Sequence, residues 1–234
     1  MKKFDILTIF PNSLDSYFDS SILKRARDKK LIEVRTHDIR QATTDKRKTV
    51  DDTPYGGGPG MVIKIEPVYK TLKKIYPKMK MKNRPEGGRL KGGKTRVILL
   101  TPRGNTLDQN KVKQLSKYDR LILIAGHYEA IDARIDKFID EKISLGNFVL
   151  TGGELAAACV VDSVSRLVKG VVGKEESVKD ESFSFYDKQT KQFNVEFPQY
   201  TRPDKFMNLA VPKVLLSGNH QLIKEWRQKQ SKVR

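Results

Sequence analysis

Apolar residues follow two rhythms along this chain. Short, nearly unbroken runs at Lys3 to Phe10, Val97 to Leu100 and Leu121 to Ala125 read as strands buried on both faces. Between them, apolar positions recur every three or four residues, as in Leu14, Phe18, Ile22 and Ala26, or Val68, Leu72 and Ile75. That spacing predicts helices, the first capped by Asn12 or Ser13 after Pro11 ends the opening strand. A second strand is expected over Leu31 to His37, and helices over Pro67 to Tyr76, Asp108 to Lys117 and Ile131 to Phe138. Lys142 to Leu145 leads to Phe148, Val149 and Leu150, which read as a short buried strand. The small apolar residues from Leu155 to Val161 read as a helix. Strands and helices alternating in this way predict an α/β domain with a mostly parallel sheet.

Three of the expected strands end in turn chemistry: Leu100-Thr101-Pro102, Ala125-Gly126-His127-Tyr128-Glu129 and Leu150-Thr151-Gly152-Gly153. Ligands of parallel sheets collect at the carboxyl ends of strands, where glycine lets backbone approach them closely. A fourth turn-rich stretch, Pro54-Tyr55-Gly56-Gly57-Gly58-Pro59-Gly60, holds four glycines and two prolines in seven positions, which excludes helix or strand.

Two stretches lack periodicity. Pro77 to Lys94 is rich in lysine, arginine and glycine and reads as an exposed basic loop. Its Gly88 to Thr95 satisfies the phosphate-loop pattern, but a strand rather than a helix is expected next, so a nucleoside triphosphatase is rejected. Gly173 to about Gln192 is polar and reads as a linker. This divides the chain into 1–172, a linker at 173–190 and a small helical unit at 191–234. In the last, Asn219 caps a helix with Leu222, Ile223 and Trp226 inward.

Charge narrows the class. Forty-six Lys and Arg against 28 Asp and Glu leave a net +18, which points to a polyanionic partner, nucleic acid before membrane. No apolar run nears the ~20 residues that span a bilayer, and Asp5 interrupts the apolar N-terminus, so no signal peptide is read and the cytoplasm is expected. The single cysteine, Cys159, reads as a packed core thiol, and three scattered histidines make no zinc pattern.

Six motifs then occur in register: Thr49 to Met61, Gly126 to Arg134, Leu145 to Leu155, Asp162 to Arg166, Tyr200-Thr201-Arg202-Pro203 and Val211 to His220. Together they closely resemble the bacterial tRNA (guanine-37-N1)-methyltransferases, the TrmD family, over nearly the whole chain. The resemblance implies a SPOUT-type fold with a C-terminal trefoil knot, a small α-helical C-terminal domain that binds tRNA, and a homodimer with its active site at the subunit interface. It implies S-adenosylmethionine held by Leu99, Leu100, Thr101 and Pro102, by Gly126 and Glu129, by Ser144, Leu145 and Gly146, and by Phe148, Leu150, Gly152 and Gly153. It further implies that Asp51, Tyr55, Gly60 and Arg202 meet the tRNA, with Asp51 reading guanosine 36, and it associates magnesium with the reaction.

The chemistry has its own logic. N1 of a neutral guanine carries a proton, so methylation there needs a base, and a fixed cation near O6 stabilises the charge that builds as the proton leaves. The resemblance places an arginine at Arg166 and an aspartate base just before Ser182-Phe183. This chain has Glu181 at that position, preceded by Asp180, and either can be the base. His127, Ala130, a short tail after Trp226 and a long basic loop are further departures. The competing readings are a non-catalytic RNA-binding protein and a methyltransferase acting on another RNA position.

Overall fold

A computed structural model describes residues 1–81, 94–173, 182–183, 186–187 and 192–233, the last stretch and 186–187 in part by backbone alone. The chain falls into two compact units, Met1–Gly173 and Lys174–Arg234. Asp180, Glu181 and most of the basic loop lie outside the described residues.

The first unit is built on five parallel strands: β1 (Lys2–Thr8), β2 (Ile32–Asp38), β5 (Thr95–Thr106), β6 (Arg120–Ala125) and β8 (Glu141–Ser144). Their order is β2-β1-β6-β5-β8. Successive side chains alternate between two cores, as the pleat requires. Phe4, Ile6, Ile98, Leu100, Leu121 and Leu123 face helices α1 (Asp15–Phe18), α2 (Ser21–Asp28), α4 (Gln109–Ser116) and α5 (Glu154–Ser165). Leu7, Val97, Leu99, Ile122 and Ile124 face α3 (Ile65–Ile75) and the 3-10 turns at Ile39–Ala42 and Ala133–Lys137.

Several expectations are corrected. The first helix is two short ones, because Ser21 sits at φ +47° and breaks it, and Leu23 rather than Ile22 takes the core position. Ile131 to Phe138 is a two-residue strand, β7 (Ala130–Ile131), followed by the 3-10 turn. Phe148, Val149 and Leu150 form no strand and are exposed. Cys159 is exposed as well, one helical turn beyond exposed Leu155 on the outward side of α5. Apolarity alone cannot separate a side chain that faces a core from one that faces a ligand or a partner.

Two features carry loops to the carboxyl end of the sheet. A small sheet of β3 (Asp51–Asp52), β4 (Val62–Ile63) and β7 ties the turn-rich loop beside the end of β6. Strand β5 leaves its ladder after Leu100 and resumes at Asn105, and both residues register with Ile143 of β8. Between them Gly104 lies so close over β8 that a Cβ would sit 2.4 Å from the Ile143 nitrogen, so only glycine fits that pass.

In the second unit Asn219 accepts hydrogen bonds from the Gln221 and Leu222 amides, at 3.1 and 3.2 Å, and caps α7 (His220–Gln230), which follows α6 (Lys213–Leu216). Leu222 is exposed rather than inward, whereas Ile223 and Trp226 are half-buried. Short antiparallel pairs accompany the helices: β9 (Tyr186–Asp187) with β10 (Gln192–Val195), β11 (Lys205–Phe206) with β12 (Leu209–Ala210), and β10 with β13 (Lys232–Val233).

Candidate active site

The carboxyl ends of β5, β6 and β8 converge on one cavity of about 270 Å³. Leu99, Leu100, Thr101 and Pro102 form one wall, Gly126 and Glu129 a second. Ser144, Leu145, Phe148, Leu150, Gly152 and Gly153 close the third. Gly146 stands just outside. Its amide donates to Ser144 Oγ at 3.2 Å, and a Cβ on it would press within 2.9 Å of the Phe148 ring. Phe148 and Leu150 are apolar because they line this cavity, which explains why they escape the core.

Glycine is needed here for close approach. A Cβ at Gly153 would lie 2.7 Å from Ala125 Cα and 3.0 Å from the Gly126 nitrogen, where neither backbone can yield. Its amide donates to the Gly126 carbonyl at 2.9 Å and stitches the start of α5 to the end of β6. Tyr128, in the turn that follows, adopts φ +61°, a left-handed conformation costly for a bulky residue and characteristic of sites held by their surroundings.

Beneath that glycine turn lies a polar tie that the sequence did not reveal. Buried Glu154 accepts from Thr8 Oγ with one carboxylate oxygen, and the other lies 2.7 Å from His127 Nε2. The Phe10 ring meets His127 edge-on at 4.8 Å. Thus β1, β6 and α5 are pinned together by one carboxylate, and a Cβ at Gly152 would strike both that carboxylate and His127. The Gly152-Gly153-Glu154 run was the only sequence signal. His127, Lys142 and Asp136 also line the cavity, the last two ion-paired at 2.8 Å.

The turn-rich loop abuts the same cavity. The Glu129 amide donates to the Met61 carbonyl at 3.1 Å, and Gly60, at φ +85°, packs so tightly on Glu129 that a Cβ would meet its carboxylate. Tyr55 is fully exposed, Asp51 is half-buried at the start of β3, and Asp52 pairs with Lys64 at 3.5 Å.

Arg166 is half-exposed at the far end of α5 and does not line the cavity; its amide donates to the Asp162 carbonyl at 3.1 Å. Tyr17, hydrogen-bonded to Asp162 Oδ2 at 2.5 Å, has its phenol pushed up to about 12, mainly because that bond favours the protonated form. In the second unit, Ser182, which directly follows Glu181, accepts from the Glu196 amide at 3.0 Å and donates to the Glu196 carboxylate at 3.3 Å. Arg202 is exposed and lines a separate cavity of that unit.

A profile of the tRNA (Guanine-1)-methyltransferase TrmD family matches residues 1–234. The chain belongs to that family. It is similar to the tRNA (guanine-N(1)-)-methyltransferase of Clostridium perfringens, 48% identical over 98% of this chain and 88% of the relative. It is 46% identical to the tRNA (guanine-N(1)-)-methyltransferases of Clostridioides difficile and Geotalea uraniireducens, again over 98% of this chain and over 92% and 85% of theirs. Family membership extends over both units, so the separate cavity of the second unit belongs to the matched region as well.

Among the described residues no helix is long and apolar enough to cross a membrane. Among them, too, no three His, Cys, Asp or Glu side chains group as metal ligands, so no magnesium site is assigned.

Proposed function

We propose that this chain transfers a methyl group from S-adenosylmethionine to N1 of guanosine 37, in tRNAs with guanosine at position 36. The observation that carries the reading is the convergence of three strand ends on one cavity in a chain of the TrmD family. The cavity suits the donor: apolar side chains and close-packed glycine backbone make a slot for the flat adenine ring, near the low end of the ~300–1,000 Å³ typical of ligand pockets. Leu99 to Pro102, Gly126, Leu145, Phe148, Leu150 and Gly152 would hold it. When bound, the donor supplies a sulfonium methyl.

The remaining roles fall to this chain's own residues. Glu181 or Asp180 takes the N1 proton, with the neighbouring Ser182 anchored on Glu196. Arg166 stabilises charge at O6. Asp51, Tyr55 and Gly60, the last packed on Glu129 of the cavity wall, receive the anticodon side of the tRNA, and Arg202 contacts it from the second unit.

Distance supports a homodimer. Along α5, 12 residues separate the glycine turn from Arg166, or ~18 Å at 1.5 Å per residue. Leu155 and Cys159 leave an exposed apolar stripe on that helix, with Tyr17 and Val149 also exposed. Two copies packed through these faces in antiparallel fashion would bring the Arg166 of one to the cavity of the other. The pass of Gly104 over Ile143 supports one crossing of the trefoil knot.

The deciding assay is methyl transfer from labelled S-adenosylmethionine to tRNA transcripts with guanosine at 36 and 37. Incorporation that persists when guanosine 37 is replaced would refute the reading.

A further inference from the structure

The second unit has a cavity of its own, about 320 Å³, of which only Arg202 has been given a role above. Its lining sets Tyr200, Arg202 and Arg227 beside the apolar Leu215, Leu216 and Ile223. Trp226 braces this wall, its ring centre 6.2 Å from Tyr200 and 6.3 Å from Phe197, both edge-on. Arg227 lies over the Phe197 ring at 4.9 Å, a cation–π contact that fixes its position. Gln199, Thr201 and Asp204 add an amide, a hydroxyl and a carboxylate.

An aromatic face beside planar cations suits a stacked nucleobase and its phosphate, and the polar groups suit the base edge. A duplex cannot offer that face without unpairing. Asp204 accepts hydrogen bonds and repels phosphate, so it favours bases that carry an exocyclic amino group, adenine, cytosine and guanine, over uracil. We propose that this pocket holds one unpaired nucleobase of the tRNA, distinct from the guanine that is methylated. The inference rests on the tRNA reading above for its ligand class, but on this cavity for its site.

Trp226 is the only tryptophan in the chain, so its fluorescence reports on this wall. Full-length protein is titrated with short oligoadenylate, oligocytidylate and oligouridylate, with an RNA duplex and with heparin. Oligoadenylate and oligocytidylate are expected to quench most strongly, and Tyr200→Ala to weaken them about tenfold, as loss of one base stack does. Asp204→Asn, a milder change, is expected to abolish the preference over oligouridylate. Equal quenching by duplex or heparin, or no effect of Tyr200→Ala, would overturn the proposal. So would a change of sedimentation in Tyr200→Ala with RNA binding intact, which would make the cavity a protein interface. Methyl transfer to full tRNA is scored separately, so failure here leaves the catalytic reading standing.

Discussion

His127 Nε2 lies 2.7 Å from Glu154 Oε2, and the same carboxylate accepts the Thr8 hydroxyl, so one buried side chain sets the ends of two strands and the start of a helix. Glu154→Ala leaves a histidine nitrogen and a hydroxyl without their partner, at a cost of about 1–3 kcal/mol each where water cannot reach. Loosening the glycine turn should raise the donor dissociation constant about tenfold and leave the tRNA affinity unchanged. Titration calorimetry with S-adenosylmethionine checks this, and Glu154→Gln, which keeps the shape, should recover most of the loss.

Gly153→Val is expected to abolish donor binding, because its Cβ would fall 2.7 Å from Ala125 Cα. Wild-type protein that binds no S-adenosylmethionine in the same titration would remove the cofactor reading altogether.

The proposal of a site shared between subunits makes a sharper prediction. Gly153→Val and Arg166→Ala should each be inactive, the first lacking a cavity and the second a cation. Mixed after dissociation, they should recover about a quarter of wild-type activity, since half of a statistical mixture is heterodimer with one intact site of two. Leu155→Asp, on the exposed stripe, should sediment as a monomer and show no activity.

The base is tested by single-turnover methylation across pH. Loss in Glu181→Gln alone assigns the proton to Glu181, and loss in Asp180→Asn alone assigns it to Asp180. Full activity in both removes the segment from the chemistry. Alignment through Ser182-Phe183 favours Glu181, whose additional methylene matters because a misplacement of ~1 Å costs about 100-fold in rate.

Acid stability depends on Asp5. Burial would raise its carboxyl pKa, but hydrogen bonds from His37 and Arg120, each at 2.6 Å, together outweigh this and hold it below the usual carboxylate range. A depressed folded value gives stability that is present above the unfolded pKa of about 3.9 and lost as pH falls below it. Glu141, between Arg96 at 2.8 Å and Lys111 at 2.9 Å, behaves alike. Urea melts should therefore show a steep loss below about pH 4, shallower in Asp5→Asn, which starts from lower stability at neutral pH.

The parallel sheet was legible because its three inner strands, β1, β6 and β5, are apolar on both faces, and the cavity because proline and glycine mark two strand ends and the turn before α5. What escaped depends on contacts between distant residues. Phe148, Val149, Leu150 and Cys159 are as apolar as core residues, and only the fold shows that they face a cavity or the surface. The Thr8–Glu154–His127 tie joins residues up to 146 positions apart, and no local pattern announces it. Ser21 broke a well-patterned helix through backbone conformation alone.

The pass of Gly104 over Ile143 has a consequence for the order in which the protein can be made. Every wall of the first unit's cavity lies between Leu99 and Ala156, and the last wall is held by a helix that ends at Ser165. A nascent chain emerging from the ribosome can pair β1 with β2 early, but it must wait for β6 before the sheet has a centre. It must also seat β8 against the Gly104 segment before the glycine turn has anything to rest on. Binding in this cavity can therefore begin only after nearly the whole first unit has been synthesised, and no shorter fragment from the N-terminus should retain it.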